Sequence, residues 1–143
     1  MNPELAEHIA YYLERFRRGD RDDACHGLLE LGSEALPGLI AAVRAEEDRE
    51  LRRVLLEIVW QCRDAAAVPF LLEMLDESEP EVWKEALDGL VTLASPAVLH
   101  ALEAKRHGVS RPDGFAIWLA EAMMQVREAL QLQADSSGEV SQR

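Results

Sequence analysis

The chain copies itself along its length. EALDGLVTL at 85–93 overlays DACHGLLEL at 23–31, so that Ala86 falls on Ala24, Gly89 on Gly27, Leu90 on Leu28 and Leu93 on Leu31. In the same register LRRVLLEIVWQC (51–62) places Leu55, Val59 and Cys62 in the columns of Ala86, Leu90 and Leu93. FAIWLAEAMMQV (115–126) places Leu119, Met123 and Val126 there. The apolar columns recur at helical spacing, so each copy is an amphipathic helix. A period of about thirty residues is too short for a unit to bury its own apolar face, and such units fold by stacking on their neighbours.

Each of these second helices follows a first one. ALPGLIAAV (35–43) matches AVPFLLEML (67–75), and PAVLHALEA (96–104) follows with weaker agreement. Pro37, Pro69, Pro80 and Pro96 each fall in the first turn of an expected helix, where a missing N–H costs little. Ser33, Ser78 and Ser95 stand where N-caps belong, and Ser78 with Glu81 reads as a capping box. The expected organisation is a single domain over 1–132, with repeats at 4–31, 34–62, 65–93 and 95–132, and a polar, flexible tail at 133–143. The loop HGVSRPDG (107–114) is the one long connection.

Composition agrees with an all-α chain, since aromatic residues make up 6% and Ala, Leu and Glu abound. Twenty-seven acidic against 15 basic residues leave a formal net charge of −12, a field that repels a phosphate backbone. Arg15, Arg17, Arg18 and Arg21, with Lys105 and Arg106, read as cations complementing helix ends rather than as a nucleic-acid patch. Cys25 and Cys62 lie in apolar stretches without a CxxC partner and read as free thiols. With no leader and no apolar run of membrane-spanning length, the expected location is the cytoplasm.

The unit of a short first helix, an acidic turn (RAEEDREL, LDESEPEV) and a second helix opening with an apolar and a basic residue (Leu51 with Arg52 and Arg53, Val82 with Lys84) resembles the HEAT repeat family. The resemblance implies a short right-handed α-solenoid of about four helical hairpins whose second helices line a concave face. It also implies a ladder through the basic position. Trp83 stands where Arg21 and Arg52 stand in other copies, which interrupts that ladder.

Column by column, the second helices stay polar at His26, Glu57, Asp88 and Glu121 and at Glu30, Gln61, Thr92 and Gln125. A third column holds Asp23, Val54, Glu85 and Trp118. Positions 81, 85, 88 and 92 share one stripe of their helix. The candidate partner-binding set is therefore Asp23, His26, Glu57, Gln61, Glu81, Trp83, Glu85, Asp88, Trp118 and Glu121. A solvated helix face is charged in any case, but two tryptophans in columns otherwise mostly polar look like interface anchors. The alternatives are that Trp118 caps the last repeat and that Trp83 packs against a neighbouring one. Trp60, in the column of Leu29, Val91 and Met124, reads as core.

Motifs for chemistry are absent: there is no GxSxG, no HExxH and no Gly-rich phosphate loop. Asp22 and His26 have helical i, i+4 spacing, but the carboxylates there suit a helix N-terminus better than a metal. Di-iron hydroxylases of the HEAT type use His-Glu dipeptides, and no His here precedes a Glu. HEAT-like DNA glycosylases need a cationic groove, and bilin lyase-related repeats share the pattern without a chromophore site being identifiable here.

No catalysis, cofactor, metal, nucleic acid, membrane or small-molecule substrate is expected. Segments such as EIVWQ and VWKEALDGLVTL are similar to those of small bacterial HEAT-like immunity proteins of polymorphic toxin systems. That similarity implies a protein partner, a basic toxin domain neutralised through an acidic face. A scaffold for an endogenous partner is the alternative, and a lyase-type subunit a third.

Overall fold

The computed structural model describes residues 3–108, 111 and 114–141, the last four as backbone alone. Every regular element among them is helical: α1 (Pro3–Arg17), α2 (Arg21–Glu30), α3 (Leu36–Ala45), α4 (Arg49–Gln61), α5 (Val68–Met74), α6 (Pro80–Thr92), α7 (Pro96–Arg106) and α8 (Phe115–Ser141). Short 3-10 turns at Ser33–Ala35 and Ala65–Ala67 lead into α3 and α5. The fold is all-α, and first and second helices alternate four times in step with the sequence period.

The caps explain several boundaries. Asp48 accepts from Leu51 N at 2.9 Å to start α4, and Ser95 accepts from Val98 N at 3.1 Å to start α7. Two expected caps are elsewhere. Ser78 lies before the helix: Pro80 opens α6, and the extended backbone that a residue before proline prefers falls on Glu79, which becomes the N-cap. Ser33 sits inside its 3-10 turn, preceded by Gly32 with φ 75°.

Two compact units divide the chain, Met1–Phe70 and Leu71–Arg143, where the sequence pattern suggests one domain over 1–132. The division falls inside α5. In the first unit α1 packs on α2 and on α3, while α4 packs on α3 and on α2. Its core takes the repeated apolar columns, with Ala24, Leu28, Leu55 and Val59 fully buried beside Leu39 and Val43. In the second unit α6 and α7 both pack on α8, burying Leu90, Val98, Leu102 and Val126 completely. No polar or charged side chain is buried among the described residues, so any binding chemistry is at the surface.

The expected flexible tail at 133–143 is largely helix, because α8 runs on to Ser141. Gln131 donates to Asp135 at 3.0 Å, an i, i+4 pair that supports this exposed end. Cys25 and Cys62 are free and half-buried. Burial, then the charges of Glu57 and Asp22, raises the Cys25 thiol above its ordinary range. Burial and Asp64 do the same for Cys62, whose Sγ lies 3.3 Å from Ile58 O.

At Gly27, α2 approaches α1 closely. A methyl group there would overlap the ring of Tyr12, which is itself held edge-on by Tyr11 at 5.1 Å between centroids. Gly27→Ala therefore gains up to about 1 kcal/mol of helix propensity but loses more to overpacking, about 1–3 kcal/mol. Chemical denaturation should show a net loss for Gly27→Ala, largely restored by adding Tyr12→Leu. A gain in stability from Gly27→Ala alone would contradict the close approach.

Candidate functional site on α6 and α8

The column reading assigns ten residues to one open face, and the structure sorts them into two sets. In the first unit, Asp23, His26, Glu57 and Gln61 lie on α2 and α4. Arg15 holds Asp23 at 3.0 Å, Gln61 donates to Glu57 at 3.0 Å, and Arg53 stands 3.5 Å from Glu57. Arg53 also donates to Glu50 at 2.9 Å; this hydrogen bond, then its charge, holds the Glu50 carboxyl below its ordinary range. Arg21 pairs with Glu50 at 3.7 Å, and His26 is exposed. The acidic columns here are laced with arginine and have little net field to offer.

Trp83 requires a correction. The sequence register places it on the open face, yet its side chain is fully buried. Its indole meets Phe115 edge-on at 5.2 Å and Trp118 at 6.4 Å, and the Arg111 guanidinium lies 5.5 Å from the ring centroid. The reason is visible in the matching column. Arg52 Nε donates to Val43 O at 3.3 Å, covering a carbonyl at the end of α3. Leu75 is the residue aligned with Val43, and Trp83 stands where Arg52 would be, without its guanidinium. Instead Arg111, just before α8, donates through Nη1 to Leu75 O and through Nη2 to Glu77 O at 2.9 Å. Its guanidinium stacks on Phe115 at 4.2 Å. The indole fills the space beneath an arginine brought in from another segment.

Trp118 remains in part at the surface, 43% exposed, with the Lys84 ammonium 4.6 Å from its ring centroid. It lines a small cleft of about 140 Å³ between α6 and α8 together with Leu87, Asp88, Val91, Glu121, Ala122 and Gln125. Asp88, Trp118 and Glu121 are thus brought together. Glu81 is exposed one turn before Glu85, which is half-buried. Thr92 donates its hydroxyl to Asp88 O at 3.0 Å.

Residues outside the candidate set extend this surface. Ile117 is 74% exposed, Met124 55% and Leu132 68%. Spacings of seven and eight residues keep the three on one side of α8, with Glu121 and Glu128 between them and Trp118 at the edge. Met124 shares its column with Leu29, Trp60 and Val91, which are half-buried, so the column suggests a covered residue where α8 leaves an open one. Trp60 is correspondingly less enclosed than its core assignment implies.

A family model for HEAT repeats matches residues 36–124, more than half of the chain. The chain belongs to the HEAT repeat family. Repeats of this family generally mediate protein–protein interaction. Over 60 residues the chain is also 33% identical to the bilin biosynthesis protein PecE of Mastigocladus laminosus. That match covers 42% of this HEAT protein and 22% of the relative, so the chain spans about a fifth of the curated relative's length. No solved structure matches it. Among the described residues no helix is long and apolar enough to cross a membrane, and no three His, Cys, Asp or Glu side chains converge in metal-binding geometry.

Trp83→Ala should cost about 3–5 kcal/mol, the range for a fully buried large aromatic. Arg111→Gln should cost about 1.5–3 kcal/mol, the range for hydrogen bonds to a charged group. Trp118→Ala should cost less than Trp83→Ala, because 43% of Trp118 is already exposed. Urea denaturation monitored by circular dichroism orders the three, and Trp83→Ala with near-native stability would refute the packing described.

Proposed function

We propose that this HEAT protein is a non-catalytic protein-binding module, an immunity protein that neutralises a bacterial toxin domain carrying a basic surface. The observation that carries this reading is the α8 stripe of Ile117, Met124 and Leu132, exposed, interleaved with Glu121 and Glu128, and edged by Trp118 and the Asp88 cleft. Apolar anchors ringed by carboxylates suit a partner that presents apolar side chains among lysines and arginines. A net charge of −12 speeds encounter with a cationic partner and repels nucleic acid. The resemblance to small bacterial immunity proteins supports the toxin as that partner, and HEAT family membership supports binding over catalysis.

A lyase-type role is a second reading, favoured by the stretch similar to a bilin biosynthesis protein. It would require the chain to take up a bilin, which shifts the visible absorption of the pigment. The immunity reading requires no such uptake.

The test is capture from a lysate of the source organism by immobilised chain, with mass spectrometry of what is retained. A basic toxin domain is the expected catch. Trp118→Ala combined with Asp88→Lys and Glu121→Lys should weaken its binding by about tenfold or more, equivalent to about 1.4 kcal/mol at least. Capture of an endogenous, non-toxic protein would favour the scaffold role instead. Unchanged affinity in the triple variant would move the interface off α6 and α8.

A further inference from the structure

The side of α8 opposite the exposed stripe is built differently. Between α7 and α8 lies a pocket of about 420 Å³ lined by Lys105, Arg106, Arg111 and Arg127 around an apolar wall that includes Phe115, Leu119 and Met123. Among the described residues four cations and no carboxylate line it, in a chain with nearly twice as many acidic as basic residues. We propose that this pocket binds a small organic carboxylate with a flat apolar body, a single negative charge on an aromatic or similarly planar group.

The number of charges follows from which cations are already engaged. Lys105 Nζ is held by both oxygens of Asp76 at 2.8 and 2.9 Å, and Arg127 by Glu103 at 3.3 Å. Arg111 spends its Nη groups on the carbonyls of Leu75 and Glu77. Arg106, exposed at the rim, has no side-chain partner among the described residues. One uncommitted guanidinium suits one carboxylate, which it can bind through two parallel hydrogen bonds. A phosphate monoester, with nearly two charges, would need a second cation released from its ion pair.

The shape of the ligand follows from the wall. Phe115 lies under the Arg111 guanidinium at 4.2 Å, a stacked pair that makes a flat edge to the cavity. Ala116 and Ala120, small residues on adjoining turns of α8, leave the volume open. That volume falls within the range of about 300–1,000 Å³ typical of small-molecule sites, and a nucleic-acid duplex is too large for it.

Naphthalene-1-acetate is a suitable probe, and naphthalene-1-acetamide has the same body without the charge. Titration calorimetry should give a dissociation constant below about 1 mM for the acid and about tenfold weaker binding for the amide. Arg106→Glu should weaken the acid by about tenfold with only a small fall in melting temperature from the lost cation at the end of α7, and Ala120→Trp, which fills the cavity from an exposed position, should abolish binding. The idea is overturned if the acid fails to bind at millimolar concentration, if acid and amide bind equally, or if either variant binds the acid like the original chain. Arg106 lies outside the α6–α8 surface, so capture of a protein partner should be unaffected by Arg106→Glu, and the two proposals stand or fall separately.

Discussion

At the ends of α3 and α5 a backbone carbonyl accepts from an arginine, and where that arginine comes from decides what the following helix can carry. At the end of α3 the donor is Arg52, reaching from the first turn of α4 to Val43 O. At the equivalent place after α5 it is Arg111, whose guanidinium reaches Leu75 O and Glu77 O across more than thirty positions of sequence. Once the donor arrives from elsewhere, the position of Arg52 is released in the third repeat, and Trp83 occupies it. The indole then organises its surroundings: Phe115 and Trp118 pack edge-on against it, and Lys84 lies 5.7 Å from its centroid. The second unit is therefore held through an aromatic cluster, where the first uses an arginine among helix ends.

Much of this was readable from the sequence, and the exceptions share a cause. The apolar columns predicted the buried Leu28, Leu55, Val59 and Leu90, because helical periodicity is a local property that a column of aligned copies averages well. The prolines likewise stand in first turns of α3, α5, α6 and α7. Trp83 was misplaced because alignment assumes that equivalent positions keep equivalent neighbours. Its neighbours include Arg111, from the long 107–114 connection that has no counterpart in the other copies. Ser78 failed as a cap for a more local reason, the proline two positions later. Trp118 was found because a tryptophan in a mostly polar column is anomalous whatever the tertiary structure, whereas Ile117 and Met124 carry no such signal in an apolar helix.

Charge separates the faces that periodicity leaves alike. On α4 the carboxylates Glu50 and Glu57 are shared with Arg53, so that stripe is acidic in sequence and close to balanced in space. On α8, Glu121 and Glu128 accompany exposed apolar side chains, while Arg127 faces the pocket beside α7. One helix thus divides the basic and acidic character of the second unit between two sides.

The ion pairs between repeats show what the repeat geometry does and does not demand. Arg17 at the end of α1 reaches Glu46 after α3 at 2.7 Å, and Lys105 at the end of α7 reaches Asp76 after α5 at 2.8 Å. Both pairs span 29 positions and join the ends of successive first helices, yet the cation lies in the earlier repeat of one unit and in the later repeat of the other. Exposed pairs of this kind contribute about 1 kcal/mol or less each, so neither can dictate the fold. The spacing of the helices comes from the buried columns, and charge of either polarity then settles into the gap that spacing leaves. A surface free to exchange its signs in this way is free to be shaped for a partner, which is how a repeat whose core barely varies can still present one acidic face and one basic pocket.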